Sequence, residues 1–254
     1  MSETVLDEAL VAALEAFSSK PRVLVASDFD GCVSPIVSRP ADARPNPRSM
    51  AALETAAVSP QTYAALVSGR ARVDLQSLSG ASGNITLVGS HGAEFADGFE
   101  SAISVEQEAL LARIVSEFTS ISARFPGTSV ERKPASVTLH TRMASRDDAV
   151  AALHLAENGP ATWDGVHVMN GKMVIELAVV ETSKGHALDR LRGTLGVDAV
   201  IYLGDDVTDE KAFAHLRQGD VGVKVGDGPT AAEFRVPDPD GVAAVLEFVT
   251  ALRQ

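Results

Sequence analysis

The sequence predicts an α/β fold, a doubly wound parallel sheet interrupted by an inserted α+β domain. Three observations predict it. Apolar runs that end in small or acidic residues recur at 22–27, 62–70, 84–92, 198–206 and 220–228. Helical patterns separate most of them, which is the alternation of a parallel sheet. Between the third and fourth runs the pattern changes to helix, strand pair, helix, strand pair.

In chain order, residues 4–18 carry apolar side chains at helical spacing. RVLVAS (22–27) is short and Val-rich, the form of a strand buried on both faces, and it ends at Asp28-Phe29-Asp30-Gly31. The Pro-rich stretch 38–49 is a connecting loop, and a helix follows at 48–57. TYAALVSGR (62–70) and NITLVGSHG (84–92) repeat strand then small-residue turn. A long helix is predicted at 105–124, then strands at 128–133 and 136–142 around Pro134-Ala135, and a helix at 146–157. Strands at 165–169 and 172–177 flank Asn170-Gly171, a two-residue hairpin signal. Helices at 184–195 and 208–217 alternate with the strands DAVIYLGDD (198–206) and DVGVKVGDG (220–228). The expected domains are therefore a core of 1–102 with 182–254 and an insertion of 103–181.

Composition limits the function. The 254 residues, 45% apolar, suffice for a packed core. A net charge of -12 argues against a nucleic-acid or anionic-membrane partner, and it would repel an anionic substrate at long range. An anion site would have to be built locally, from a metal, backbone amides and a few basic side chains. The single Cys32 excludes an internal disulfide and a cysteine-based zinc cluster. No apolar run reaches the roughly 18 residues of a membrane span, and the acidic N-terminus lacks the features of a signal peptide. A cytoplasmic location is the expectation, with no obligate protein partner evident.

Asp28 and Asp30 stand at i and i+2 where a buried strand ends. In an extended segment both side chains would point the same way. Two such carboxylates suit a nucleophile and a general acid/base with a hard cation between them; the plainer alternative is a pair capping the next helix. Gly204-Asp205-Asp206-Val207-Thr208-Asp209-Glu210 places four acids in six residues after another strand. Acids at a helix start complement its dipole, which accounts for Asp209 and Glu210 but poorly for Asp205 and Asp206. Oxygen-only donors favour Mg²⁺ over zinc or copper, and Asp28, Asp30, Asp205, Asp206 and Asp209 are the candidate ligands. Ser68-Gly69-Arg70 offers a hydroxyl, a backbone amide and a guanidinium to phosphate oxygens. An ordinary turn would look the same. Lys184 opens a helix, where a cation opposes the dipole; that misfit hints at function, although by itself a simple exposed lysine is the plainer reading.

Taken together, DFDGC (28–32), SGR (68–70), Lys184 and GDDVTDE (204–210) resemble the haloacid dehalogenase superfamily of phosphatases, in that order along the chain. The resemblance implies a Rossmann-like core whose insertion is a cap. Cys32 stands where the superfamily usually has Thr, and it is a weaker donor. The closer resemblance is to the trehalose-6-phosphate phosphatase family. It rests on GDDVTDE, on Gly89-Ser90-His91-Gly92, on Glu131-Arg132-Lys133 followed by Ser136, His140 and Arg142, and on Gly171-Lys172-Met173-Val174-Ile175-Glu176.

What the resemblance implies is Mg²⁺-dependent hydrolysis of trehalose 6-phosphate through an aspartyl phosphate, the last step of trehalose biosynthesis. Asp28 would be the nucleophile and Asp30 the acid/base. Ser68, Gly69, Arg70 and Lys184 would bind phosphate, and Glu131, Lys133, Glu176, His140 and Arg142 the sugar. The cap would close over the sugar. From the residues alone the cap charges could equally be a solvated hairpin face, and His91 and His140 could be core histidines. A sucrose-phosphate or mannosyl-phosphoglycerate phosphatase with the same core is the alternative.

Overall fold

The computed structural model describes residues 6–99, 102–171, 173–181 and 183–254. The chain forms two compact units, one of Met1–Ala96 with Ser183–Gln254 and one of Asp97–Thr182. In the N-terminal part of the first lie α1 (Glu8–Ser18), β1 (Val23–Ser27), α2 (Pro47–Val58), β2 (Thr62–Val67), α3 (Arg72–Ser79), β3 (Ile85–Val88) and β4 (Glu94–Phe95). The second contains β5 (Gly98–Phe99), α4 (Val105–Arg124), β6 (Ser129–Arg132), β7 (Ser136–His140), α5 (Arg146–Asn158), β8 (His167–Gly171) and β9 (Val174–Ala178). The first unit then resumes with α6 (Lys184–Leu195), β10 (Ala199–Gly204), α7 (Val207–Ala214), β11 (Val221–Val225), β12 (Phe234–Val236) and α8 (Pro239–Leu252).

The first unit is a parallel sheet of order β12-β11-β10-β1-β2-β3. Every residue of β1, β10 and β11 is buried, because helices cover both faces. One face packs on α1, α2, α3 and α8 through Leu14, Leu53, Leu75 and Leu246; the other packs on α6 and α7 through Leu188, Leu191 and Phe213. The order runs outward from β1 to β3 on one side and from β10 to β12 on the other. The reversal therefore falls between β1 and β10, and ligands of such sheets bind beyond the strand ends at that point. Asp28 and Asp205 follow those two strands directly.

The second unit is an antiparallel sheet of order β6-β7-β9-β8. Alternate residues Val137, Leu139, Ile175 and Leu177 pack against Leu111, Ile114 and Phe118 of α4 and Ala152 and Ala156 of α5. The intervening positions put Glu131, Thr138, Glu176 and Met169 in one row across the four strands.

The hairpin between β8 and β9 corrects the sequence expectation. Asn170 and Gly171 are not its turn; they pair with Ile175 and Val174 inside the ladder. The reversal comes after Gly171, and Met173 takes the left-handed conformation at φ 64°. Lys172 lies outside the described residues. The structure also adds α3, β12 and α8. Three residues make β12 too short to stand out as an apolar run, whereas α8 opens on a start signal, Asp238 as cap and Pro239 in the first turn.

Candidate active site

The strand β1 does not continue extended through Asp30. Gly31 takes φ 83°, its N–H donates to the Ser34 carbonyl at 2.7 Å, and the Ser34 N–H donates to the Phe29 carbonyl at 2.7 Å. The two carboxylates meet different partners, Asp28 the ammonium of Lys184 and Asp30 the guanidinium of Arg70. Gly31 has no alternative here, because a Cβ on it would collide with the Asp205 carboxylate. The loop backbone can thus approach Asp205 as closely as a shared ligand requires.

Asp28 faces inward. Its Oδ2 accepts from Lys184 Nζ at 2.7 Å and its Oδ1 from the Phe29 N–H at 2.6 Å. Lys184 is only 2% exposed and also donates to Asp209 Oδ1 at 2.8 Å. Burial would pull the Lys184 ammonium down, but the charges of Asp209 and Asp28 and their hydrogen bonds outweigh it and hold it above its ordinary value. Burial pushes the Asp28 carboxyl well up; Lys184 opposes this, while Asp209 and Asp205 add to it. Burial would likewise raise Asp209, but Lys184 and the donors around it keep it lowered.

The acidic cluster resolves into unlike roles. Asp206, a candidate metal ligand in the sequence, is exposed, and its Oδ1 caps α7 by accepting from the Val207 N–H at 2.6 Å. Asp209 is fully buried; Oδ1 takes Lys184 and the Tyr202 hydroxyl at 2.6 Å, and Oδ2 takes the N–H groups of Asp205 and Asp206 at 3.0 and 2.9 Å. Of the candidate ligands named from the sequence, Asp206 is a helix cap, whereas Asp205 and Asp209 lie beside Asp28. A carboxylate offers about four lone-pair positions, so Asp209 is saturated by protein donors and serves to orient Lys184.

Oxygens of Asp28, Asp205 and Asp209 lie within 4.8 Å of one another. Three carboxylates there meet two ammonium groups, those of Lys184 and Lys224, and burial with the Asp209 charge outweighs both and pushes Asp205 up to about 7. An all-oxygen cluster short of positive charge fits a hard divalent cation, with Asp28 and Asp205 as the carboxylates that keep lone pairs for it. A cavity of about 190 Å³ opens beside Asp205, between the Gly31–Ile36 loop and the turns after β11 and β12.

Ser68 and Arg70 follow β2, the neighbour of β1. Ser68 is buried, and the Arg70 N–H donates to its Oγ at 3.2 Å. The Arg70 guanidinium turns to Asp30, with contacts of 2.6 and 2.7 Å, and also donates to the Pro40 carbonyl at 2.9 Å. Gly69 packs against the His91 ring.

In the second unit, Glu176 is buried at the centre of its sheet. It accepts from Lys133 Nζ at 2.6 Å, Ser136 Oγ at 2.6 Å and Thr138 Oγ1 at 2.9 Å. Beside it, Glu131 meets His140 Nε2 at 2.8 Å, and this hydrogen bond, opposed by partial burial, holds the Glu131 carboxyl below its ordinary value. Arg142 follows β7 and is exposed.

Three residues escaped the sequence reading. Tyr202 is hidden within an apolar strand that gives no cue to its hydroxyl. Lys224 sits in the buried strand β11, donates to the Asp205 carbonyl and lies 3.7 Å from Glu210. A lysine inside an all-buried run was the available signal. Glu210, which looked like a helix-start acid, accepts from the Ala231 N–H at 2.8 Å and so ties α7 to the following loop.

The chain is 31% identical to the trehalose-6-phosphate phosphatase of Escherichia coli over 231 residues, 89% of this chain and 86% of that one. It is 35% identical to the trehalose-phosphate phosphatase of Mycobacterium marinum over 247 residues, 91% of this chain and 62% of that longer protein. The fold matches that of the Candida albicans trehalose-6-phosphate phosphatase C-terminal domain, with a TM-score of 0.84, 23% identity and 99% of each chain covered. The sequence profile of trehalose-phosphatase matches residues 4–240. A match across nearly the whole length, both units included, shows that the chain belongs to the trehalose-phosphatase family.

Proposed function

We propose that the chain hydrolyses trehalose 6-phosphate to trehalose and inorganic phosphate, with Asp28 as nucleophile, Asp30 as general acid/base and Mg²⁺ as the cation. The observation that carries the phosphatase reading is the buried line Asp28–Lys184–Asp209 with Asp205 beside it. A lysine held this way can meet both the nucleophile and a phosphoryl oxygen.

An Asp28 oxygen attacks phosphorus opposite the ester oxygen. The bond from phosphorus to the sugar oxygen breaks, and Asp30 gives that oxygen a proton. As a carboxylate, Asp30 then takes a proton from the water that attacks the aspartyl phosphate. The bond to Asp28 breaks and phosphate leaves. Ser68 and Lys184 hold the phosphoryl oxygens throughout, with the Gly69 amide in the same loop. Asp28, Asp205 and the Asp30 backbone carbonyl would hold Mg²⁺, which would supply positive charge to offset repulsion between carboxylate and phosphate. Arg70 donates to both Asp30 oxygens and so orients the carboxyl that exchanges the proton.

Sugar recognition is assigned to the polar row of the second unit. Glu131 and His140 are partly exposed and can reach hydroxyls, as can the exposed Arg142. Lys133 and Glu176 are mostly buried in their pair and hold that face in shape.

A phosphate-release screen across sugar phosphates, with Mg²⁺ and after EDTA, tests the reading. Trehalose 6-phosphate should be preferred over sucrose 6-phosphate, mannosyl-phosphoglycerate and glucose 6-phosphate. A preference for glucose 6-phosphate would refute the substrate and leave the phosphatase standing.

A further inference from the structure

In the turn after β3, two consecutive residues other than glycine adopt left-handed backbone: Ser90 at φ 50° and His91 at φ 53°, ψ 34°. Such conformations persist only where the surroundings enforce them. What they meet here is the 68–70 loop. The His91 N–H donates to the Ser68 carbonyl at 2.9 Å, and the Ser90 N–H to the Arg70 carbonyl at 2.7 Å, so the loop is tied on both sides of Gly69. Glu94 adds a brace, accepting from the Arg72 N–H at 2.9 Å and the Ser90 hydroxyl at 3.2 Å.

The His91 ring fills the space a side chain at position 69 would need. The three atoms nearest to a Cβ built on Gly69 all belong to that ring. The φ of Gly69 is not in the left-handed region, so its backbone would accept alanine; the ring forbids it. The same turn touches the start of α6, since a Cβ on Gly92 would meet the carbonyl of Ser183, the residue before Lys184.

We propose that His91 is a positioning residue for the phosphate: its ring, packed on Gly69, and its strained turn fix the Ser68–Arg70 loop in the shape that receives the phosphoryl group. The inference rests on the reading of Ser68 as a phosphate ligand.

The test uses the full chain with Gly69→Ala, His91→Asn, His91→Gly and the double variant Gly69→Ala/His91→Gly. Asn and Gly both accept φ near 50°, so the turn can form without the ring, and thermal unfolding checks each fold. Turnover and inhibition by orthovanadate, a phosphoryl mimic, should weaken about 10-fold in both His91 variants and about 100-fold in Gly69→Ala, the scale of a slight misplacement. The double variant should match His91→Gly alone, because the obstacle to the methyl group is gone. Multiplied losses in the double variant, or wild-type vanadate inhibition in both His91 variants, would overturn the proposal. Ser68→Ala separates the two readings. Unchanged vanadate inhibition in it removes the phosphate-ligand reading and this inference with it. Weakened inhibition there, with none in His91→Gly, removes the inference alone.

Discussion

The Arg70 guanidinium grips the Asp30 carboxylate with two hydrogen bonds, Nε to Oδ2 at 2.6 Å and Nη2 to Oδ1 at 2.7 Å. Arg70 is mostly buried and Asp30 only partly exposed, so the pair is held in a shielded position. The residue read as a phosphate ligand thus holds the acid/base.

The first prediction follows from that grip. Lys cannot reproduce a planar two-point contact, so Arg70→Lys should lower kcat on trehalose 6-phosphate about 10-fold or more, and Arg70→Ala further. The loss should be smaller on an aryl phosphate, whose leaving group needs little protonation. Equal losses on the two substrates would place Arg70 on the phosphate instead.

Asp28→Asn should abolish turnover, because an amide is a poor nucleophile. It also removes the charge opposite Lys184, so a shift in thermal stability is expected as well. Beryllium fluoride should bind wild type at Asp28; a crystal structure with the fluoride elsewhere would refute the nucleophile.

Metal binding should depend on pH through Asp205. Its carboxyl is pushed up to about 7 in the metal-free fold, against an unfolded value near 3.9. Between those values the folded state binds the extra proton, so metal-free stability should fall as pH rises from about 4 to about 7. A cation competes with that proton. The Mg²⁺ concentration at half-maximal thermal stabilisation should therefore drop as pH rises to about 7 and level off above. A midpoint independent of pH, or one that is unchanged in Asp205→Asn, would remove Asp205 from the metal site.

The two acids of the sugar-facing sheet should separate by readout. Glu176→Ala removes the buried carboxylate that accepts from Lys133, Ser136 and Thr138, so it should lower the melting temperature. Glu131→Ala should leave the melting temperature nearly unchanged while lowering kcat/KM for trehalose 6-phosphate by roughly 10-fold, the scale of one hydrogen bond to a charged group. An aryl phosphate should be unaffected by Glu131→Ala. Losses on both substrates would make Glu131 a structural residue.

The sequence by itself determined five of the six strands of the parallel sheet, all but β12, and the family to which the chain belongs. β1, β10 and β11 are legible because strands covered on both faces must be apolar along their whole length, and each ends where the apolar run ends. Asp28, Lys184 and Asp205 are legible for the same reason: charges directly after buried strands, or against a helix dipole, need a purpose. Only the tertiary structure decided which charge meets which. Lys184 reaches Asp28 across 156 positions, because α6 packs on the sheet that holds β1 with its first residue at the end of that strand. Within Asp205-Asp206-Val207-Thr208-Asp209-Glu210 the residue types are nearly equivalent on paper. The direction of the first turn of α7 aims Asp209 at Lys184 and leaves Asp206 in solvent. That Asp28 meets Lys184 while Asp30 meets Arg70 is likewise settled by tertiary partners, which no helical or extended period expresses. Gly69 reads as an ordinary turn glycine until His91, a residue on another strand's turn, is seen to occupy the space it leaves.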